Sequence, residues 1–157
     1  MPPTGELARI DDELRRAYDG GAWHGPPLRE VLNGVPAETA AGKHPQLTRT
    51  AWARVNHPAA DTDVVARRIT EWRAIGAPGA GDSLPATETA EEAWTAALEN
   101  LDRQHRTLLA VLAGLDVAQL DEIVPGKTYP VAVMLHGIAQ HYTYHAGQIA
   151  PLKKLVG

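Results

Sequence analysis

Two histidines one helical turn apart, His141 and His145, are the side chains of this sequence best placed to do chemistry. They lie in the stretch LHGIAQHYTYHAGQ, residues 135–148, which also contains His136. Two imidazoles at positions i and i+4 of a helix lie on one face, so both can reach one divalent ion at about 2.0–2.1 Å. The pattern alone leaves a second interpretation open, in which both are core or cleft histidines with ordinary hydrogen-bond partners.

The helix that carries this pair has an inward face on which apolar residues recur at spacings of three and four. That face holds Val131, Met134, Ile138, His141, His145, Gln148, Leu152 and Leu155. His136 points about 200° away from Met134 on a helical wheel, so we expect it at a neighbouring surface or in solvent. Gln148 continues the inward face, and we predict that it contacts the site or its substrate.

A metal held by this pair needs a further ligand from another helix. The chain has no cysteine, so histidine, aspartate and glutamate are the available ligands. His57 is one candidate, and Asp61 one turn later can act as a fourth ligand or orient an imidazole. Pro58 follows His57 directly and is expected to kink the helix, so periodicity does not decide where His57 points.

The other histidines have simpler interpretations. His105 lies on a leucine-flanked inward face, which favours a hydrogen-bonded core histidine. His24 follows Trp23 in a loop, where it caps, is exposed or lines the mouth of a cleft. We keep His24 and Tyr129 as candidate contacts to substrate. His44 precedes Pro45 in a turn and is expected to be exposed.

Apolar periodicity and Pro/Gly punctuation predict four long helices, at about 4–19, 47–75, 88–114 and 130–155. The Pro/Gly-rich segment after the first helix has room only for short helical turns, near 27–33 and 36–41. Thr87 or Thr89 is expected to cap the third helix. The preceding loop, 76–87, is long enough to be a crossover. We predict one all-α domain over residues 1–157, a four-helix bundle.

Composition excludes several functional classes. The net charge is −4, which gives no basic surface for nucleic acid. No window approaches the roughly 18 apolar residues that a membrane span needs. The N-terminal segment lacks the apolar core of a secretion signal. We therefore expect a cytoplasmic protein that binds neither nucleic acid nor membrane.

The last helix, LHGIAQHYTYHAGQIAPLKK, resembles the C-terminal helix of the DinB-like (DinB/YfiT) metalloenzyme family, whose signature there runs LHG, QH and YHAGQI. Three earlier segments resemble, in order, the region after the first helix of that family, its second helix and its third: AWHGPPLREVLNGV, TAWARVNHPAADTDVVARRI and EEAWTAALENLDRQHRTLLAVLAGL. The resemblance covers nearly the whole chain.

This resemblance implies an all-α four-helix bundle of DinB/YfiT type, with up-down-down-up connectivity and a long crossover between helices two and three. It also implies one divalent metal held by three histidines, which fall on His57, His141 and His145 of this chain. Family members usually have an aliphatic residue where this chain has Pro58. Many relatives are dimers, so a homodimer is expected.

Characterised relatives include S-transferases and an isomerase that depend on a thiol such as bacillithiol or mycothiol. The resemblance thus favours a metal-dependent enzyme that activates water or a low-molecular-weight thiol, of thiol S-transferase or hydrolase type. Zinc, nickel, iron and manganese all accept imidazole ligands. The alternative is a non-catalytic, stress-associated helical bundle whose metal is structural or absent.

Overall fold

The computed structural model describes residues 5–78 and 90–156 of the 157-residue chain. Regular structure in these ranges is helical, apart from an isolated antiparallel bridge between Ile123 and Pro130. The elements are α1 (Glu6–Tyr18), α2 (Leu28–Leu32), α3 (Ala37–Ala41), α4 (Ala51–Glu71), α5 (Ala90–Ala113), a short 3-10 helix (Val117–Asp121) and α6 (Val131–Val156). The all-helical prediction is confirmed for the described ranges. The up-down-down-up connectivity stays a prediction.

The second long helix is shorter at both ends than the predicted range 47–75. The Thr50 side chain accepts a hydrogen bond from the Ala53 backbone N–H at 3.1 Å and begins α4 at Ala51, as an N-cap threonine does. Trp72 ends the helix in a left-handed conformation, with a φ of 46°. Periodicity did not locate these boundaries because apolar residues continue on both sides of them.

The start of the third helix falls partly outside the described residues. α5 is described from Ala90. The predicted caps Thr87 and Thr89, and the part of the crossover loop from residue 79 onwards, lie outside the described residues. Residues 76–78, at the beginning of that loop, are not helical.

Pro58 lies inside α4 without ending the helix. Proline has no backbone N–H, so it cannot make the usual hydrogen bond to the Arg54 carbonyl. The Thr62 hydroxyl donates to the Pro58 carbonyl at 2.7 Å, one turn further along. Where His57 points, which periodicity left open, is seen here: the His57 ring lies beside those of His141 and His145.

The long helices α1, α4, α5 and α6 share one apolar core. Leu14, Val55, Leu101 and Ile149, one from each of these helices, are fully buried. Burying a side chain of this size stabilises a fold by about 1.5–3 kcal/mol. α4 packs against both α5 and α6, so the two helices that carry the histidines lie side by side.

α1 is fastened to α6 by an ion-pair cluster around His136. The His136 Nδ1 lies 2.6 Å from a Glu13 oxygen, and its Nε2 lies 2.8 Å from a Glu6 oxygen. Partial burial lowers the His136 pKa, but the hydrogen bonds to Glu6 and Glu13 outweigh it, and the pKa is raised overall. The expectation that His136 faces a neighbouring surface, away from the pair, is confirmed.

No helix in the described ranges combines the length and the apolar character needed to cross a membrane.

Candidate metal centre

His57 from α4 and His141 and His145 from α6 converge on one point between the two helices. Each imidazole offers a ring nitrogen, and these three nitrogens lie within 4.8 Å of one another. The Nε2 atoms of His141 and His145 are 3.2 Å apart. Two ligands about 2.0–2.1 Å from one tetrahedral ion are separated by roughly 3.3–3.4 Å. The spacing of this pair therefore suits coordination to a single ion.

The cluster is buried on one side and open on the other. His145 is 5% exposed, at the inner side. The side chains of His57 and His141 are 35% and 25% exposed. A structural metal site is normally closed by four protein ligands, whereas a catalytic site keeps a position for water or substrate. This partial exposure leaves room for such a position.

Asp61 places a carboxylate against the open side of the cluster. Its Oδ2 lies 3.1 Å from the His57 Nε2 and 3.0 Å from the His141 Nε2. The His141 Nε2 is also the nitrogen that faces His145. Asp61 therefore contacts the nitrogen of His141 that would bind the ion, and not the opposite ring nitrogen. Asp61 is therefore placed as a possible fourth ligand or as a partner for a bound group.

The electrostatics of the cluster favour metal-binding protonation states. Burial, together with the neighbouring His141, His57 and Arg54, lowers the His145 pKa to about 3. Burial also raises the Asp61 pKa, but the hydrogen bond from His141 and the nearby imidazoles outweigh it, and the net shift is downward. At neutral pH, His145 therefore has a free lone pair and Asp61 is ionised.

Two buried polar atoms beside the cluster have no hydrogen-bond partner in the described ranges. These are the His145 Nδ1 and the Gln148 Oε1. A buried polar group left unpaired costs about 1–3 kcal/mol. Gln148 is half-buried on α6, one turn beyond His145. Its contact to a site or substrate stays a prediction.

Tyr129 lines a cleft that begins at the cluster. This cleft lies between α4 and α6, has a volume of about 380 Å³, and is also lined by Asp61 and His141. The Tyr129 hydroxyl accepts a hydrogen bond from the Arg68 guanidinium at 3.5 Å. Tyr129 thus shares a cavity with the candidate site, as a substrate contact would.

His24 and His44 lie elsewhere. His24 is exposed and lines a separate groove between α1 and α6, with Trp23 and Tyr144. No contact from His24 to the three histidines is found among the described residues, so its proposed role gains no support from geometry. His44 is half-buried rather than exposed, and its Nδ1 accepts a hydrogen bond from the Gln46 backbone N–H at 3.3 Å.

His105 is a core histidine, as its apolar flanks predicted. It is fully buried, and its ring stacks on Tyr18 with centroids 4.1 Å apart. Its Nδ1 lies 3.2 Å from the Tyr142 hydroxyl. Burial lowers the His105 pKa to about 4, although Asp19 opposes the shift. This histidine holds α5 to α6 and does not reach the cluster.

Arg68 is the residue of this region that sequence reasoning missed. It lies seven residues after Asp61 on α4 and lines the same cleft. Seven residues are close to two helical turns, so a helical wheel places both on one face. The sequence could have indicated Arg68, because it lies on the same helical face as Asp61 and three residues after Val65.

A sequence model of the DinB superfamily matches residues 22–149, the greater part of the chain. The matched range includes the three histidines, Asp61 and the cleft-lining residues of α4 and α6. Neither the curated proteins nor the solved structures gave a match.

Proposed function

Because this chain belongs to the DinB superfamily, we propose that it is a metal-dependent enzyme in which His57, His141 and His145 hold one divalent ion. The proposal rests mainly on one observation, the convergence of three ring nitrogens within 4.8 Å between two helices. His57 and His145 are 88 positions apart in the sequence, so only folding brings them together. Ordinary core packing does not require such convergence.

The donor set fits the proposed ion. Neutral imidazoles with a nearby carboxylate suit zinc, nickel, iron and manganese. When bound at such a site, a divalent ion lowers the pKa of a water molecule or thiol and makes it a nucleophile near neutral pH. The partial exposure of His57 and His141 leaves that position accessible.

The chain's own residues would support this chemistry in distinct ways. His145 stays neutral and anchors the buried side of the site. Asp61 is ionised, and its Oδ2 lies at the open side, where it can accept a proton from a bound water or thiol. Val64 and Ile138 line the adjoining cleft and limit the access of bulk water.

The proposed reaction is of thiol S-transferase or hydrolase type. Since the chain has no cysteine, a thiol nucleophile has to come from a second substrate, such as bacillithiol or mycothiol. We propose a cytoplasmic protein that works as a homodimer, as is usual in the family.

Elemental analysis and a thiol-consumption assay test the proposal together. Protein without a polyhistidine tag is expected to carry about one divalent ion per chain. The loaded protein is expected to speed the reaction of bacillithiol or mycothiol with electrophiles, or to hydrolyse activated esters. His141→Ala is expected to lose both properties, while His44→Ala, the same change outside the cluster, keeps them. Full metal content in His141→Ala contradicts the assignment.

One observation favours a competing function. The Asp61 carboxylate already contacts both His57 and His141, so an ion pair can join α4 to α6 without a metal. The chain would then be a non-catalytic bundle, with the metal absent or structural. That function predicts no turnover with any thiol or ester, and a melting temperature that Asp61→Asn lowers even in metal-free protein.

A further inference from the structure

The cleft between α4 and α6 is an elongated cavity with chemically different ends. One end is formed by Asp61 and His141, and the other by Arg68 and Met134. Asp61 and Arg68 are seven positions apart on α4, and Met134 and His141 are seven positions apart on α6. Seven residues make about two turns, or about 10 Å along the helix axis. The two helices therefore run in opposite directions along the cleft, and the ends lie about that far apart. Its middle is lined by Val64, Val65, Gly137 and Ile138.

Arg68 gives the far end a buried positive charge. It is 6% exposed, and its Nε donates to the Ile75 carbonyl at 2.9 Å. Its Nη1 contacts two further neutral groups, the Tyr129 hydroxyl at 3.5 Å and the Met134 sulfur at 4.0 Å. No carboxylate pairs with Arg68 within residues 5–78 and 90–156. A buried charge is costly without a counter-ion, and an anionic ligand would supply one.

Two further features make this end of the cleft positive. Lys127 is half-buried and lines the cleft. The adjacent Gly126 packs against Ala74, just beyond the Arg68 end of α4. No side-chain partner is found for the Lys127 ammonium in the described part of the chain. α6 begins at Val131, and Val133 and Met134 of its first turn line the cleft. The positive end of a helix dipole favours an anion nearby.

Gly137 leaves the middle of the cleft open. It lies inside α6, where glycine costs about 1 kcal/mol relative to alanine. A Cβ placed on Gly137 would meet no atom within 4 Å, so close packing does not require glycine there. Gly137 lies between Met134 and His141 along the helix, and its missing side chain leaves space for the body of a ligand.

We propose that the α4–α6 cleft binds an amphipathic monoanion, with its carboxylate at Arg68 and Lys127 and its apolar body over Gly137. Asp61 repels the carboxylate from the opposite end, so the ligand has one orientation. Its uncharged end then lies beside His141. The inference deepens the proposed function by naming the class of substrate, and it rests on that function only for what happens at the histidine end.

Isothermal titration calorimetry with 4-phenylbutyrate and its neutral analogue 4-phenylbutanamide tests the binding site in metal-free protein. The carboxylate is expected to bind at least tenfold more tightly than the amide. Added salt is expected to weaken the binding of the carboxylate and not that of the amide. Equal affinities for the two probes, or no binding of 4-phenylbutyrate at millimolar concentration, would overturn the proposal.

Substitutions locate the ligand within the cleft. Gly137→Leu is expected to lower the affinity for 4-phenylbutyrate at least tenfold. Gly147→Leu is the matched control, because Gly147 also lies in α6, is exposed away from the cleft, and would have no atom within 4 Å of an added Cβ. Unchanged affinity in Gly137→Leu, or an equal loss in both variants, would overturn the proposal.

Charge substitutions complete the test. Arg68→Gln is expected to lose at least tenfold in affinity for the carboxylate and nothing for the amide. Because Arg68 also holds the Ile75 carbonyl, Lys127→Gln serves as a second variant, with an expected loss of about threefold. Unchanged affinity in Lys127→Gln together with a folded, unaffected Arg68→Gln contradicts the proposal.

The two proposals fail separately. His145→Ala, which removes a cluster histidine that does not line the cleft, is expected to lose the metal and still bind 4-phenylbutyrate within about threefold of wild type. Stoichiometric metal without carboxylate binding would overturn the cleft assignment alone. Carboxylate binding by a protein that takes up no divalent ion when one is supplied would overturn the metal-dependent function alone.

Discussion

The three-histidine cluster and His105 are two ways of placing histidine inside the same core, and they differ in where the ring nitrogens point. At the cluster, the ring nitrogens of three imidazoles face one another, and His141 and His145 come within 3.2 Å. At His105, the ring stacks on Tyr18 and one nitrogen contacts the Tyr142 hydroxyl. Burial lowers the pKa of both His105 and His145. Burial alone therefore does not distinguish a candidate ligand from a packing residue.

Access and convergence do distinguish them. His105 is fully buried and has aromatic neighbours. The cluster is partly exposed and adjoins a cleft, whereas a nearby carboxylate does not separate the two sites, because the His105 Nε2 lies 3.6 Å from Asp19. Neutral imidazoles that face each other cannot all act as hydrogen-bond acceptors for one another, but they can all act as acceptors for one cation. The comparison predicts that ligand loss follows changes at the cluster and that stability loss follows changes at His105.

The largest expected effect is on metal affinity. His145→Ala removes the innermost of the three nitrogens, so we expect the dissociation constant for zinc to rise at least a thousandfold, about 4 kcal/mol. Competition with a chromophoric chelator measures it. His105→Ala, which alters the other histidine site, is expected to bind zinc as wild type does if it is folded. An equal loss of affinity in both variants would remove the distinction between the two sites.

His105→Ala is expected to destabilise the fold by about 3 kcal/mol, because it empties a fully buried, stacked position. Urea denaturation followed by circular dichroism measures this change. His57→Ala serves as the comparison, since the His57 side chain is 35% exposed. Its metal-free stability is expected to fall by about 1 kcal/mol or less. A smaller loss in His105→Ala than in His57→Ala would contradict a packing role for His105.

Asp61→Asn is expected to weaken zinc binding by about ten- to a hundredfold, a loss of the size that follows when a carboxylate in contact with metal-binding histidines is removed. The amide keeps the shape of the side chain and removes the negative charge that faces His57 and His141. Asp63→Asn is a matched control, because the Asp63 side chain is 41% exposed and pairs with Arg67 instead. No difference between these variants would show that the Asp61 charge is not used at the cluster.

The smallest effect is expected at His136, the third kind of histidine site. Because the His136 pKa is raised in the fold, its ion pairs stabilise the protein fully below the unfolded pKa of about 6.5. That stabilisation is lost as pH rises through the folded pKa. The free energy of unfolding of wild type is expected to exceed that of His136→Gln by less than about 1 kcal/mol at pH 6, and to equal it at pH 9.

Urea unfolding at both pH values measures this difference. His24→Gln, the same substitution at an exposed loop position, is expected to follow wild type at both. A difference between wild type and His136→Gln that persists at pH 9 would show that packing, rather than charge, holds α1 to α6.

Local periodicity predicted the parts of the fold that depend on one helix at a time. The spacing of His141 and His145 placed both on one side of α6, and the 200° offset of His136 placed it elsewhere. The same reasoning failed at the ends of α4, where a single threonine hydroxyl and one left-handed residue set the boundaries. Such ends depend on capping geometry rather than on the apolar pattern.

Contacts between distant helices were harder to predict. The wheel did not place His57, since Pro58 made its phase uncertain, and the family resemblance supplied it. The contacts of His136 with Glu6 and Glu13 needed the packing of α1 on α6. The cleft between Asp61 and Arg68 needed the antiparallel placement of α4 and α6. These features follow from tertiary packing, which a one-dimensional pattern does not contain.

X-ray absorption spectroscopy of protein loaded with one equivalent of zinc most directly tests whether the three histidines hold an ion. We predict scattering from three imidazoles at about 2.0–2.1 Å, with one or more light-atom ligands completing the shell. His57→Ala is expected to reduce the count to two imidazoles. A wild-type spectrum with one imidazole or none, or protein that binds no zinc, would contradict the account.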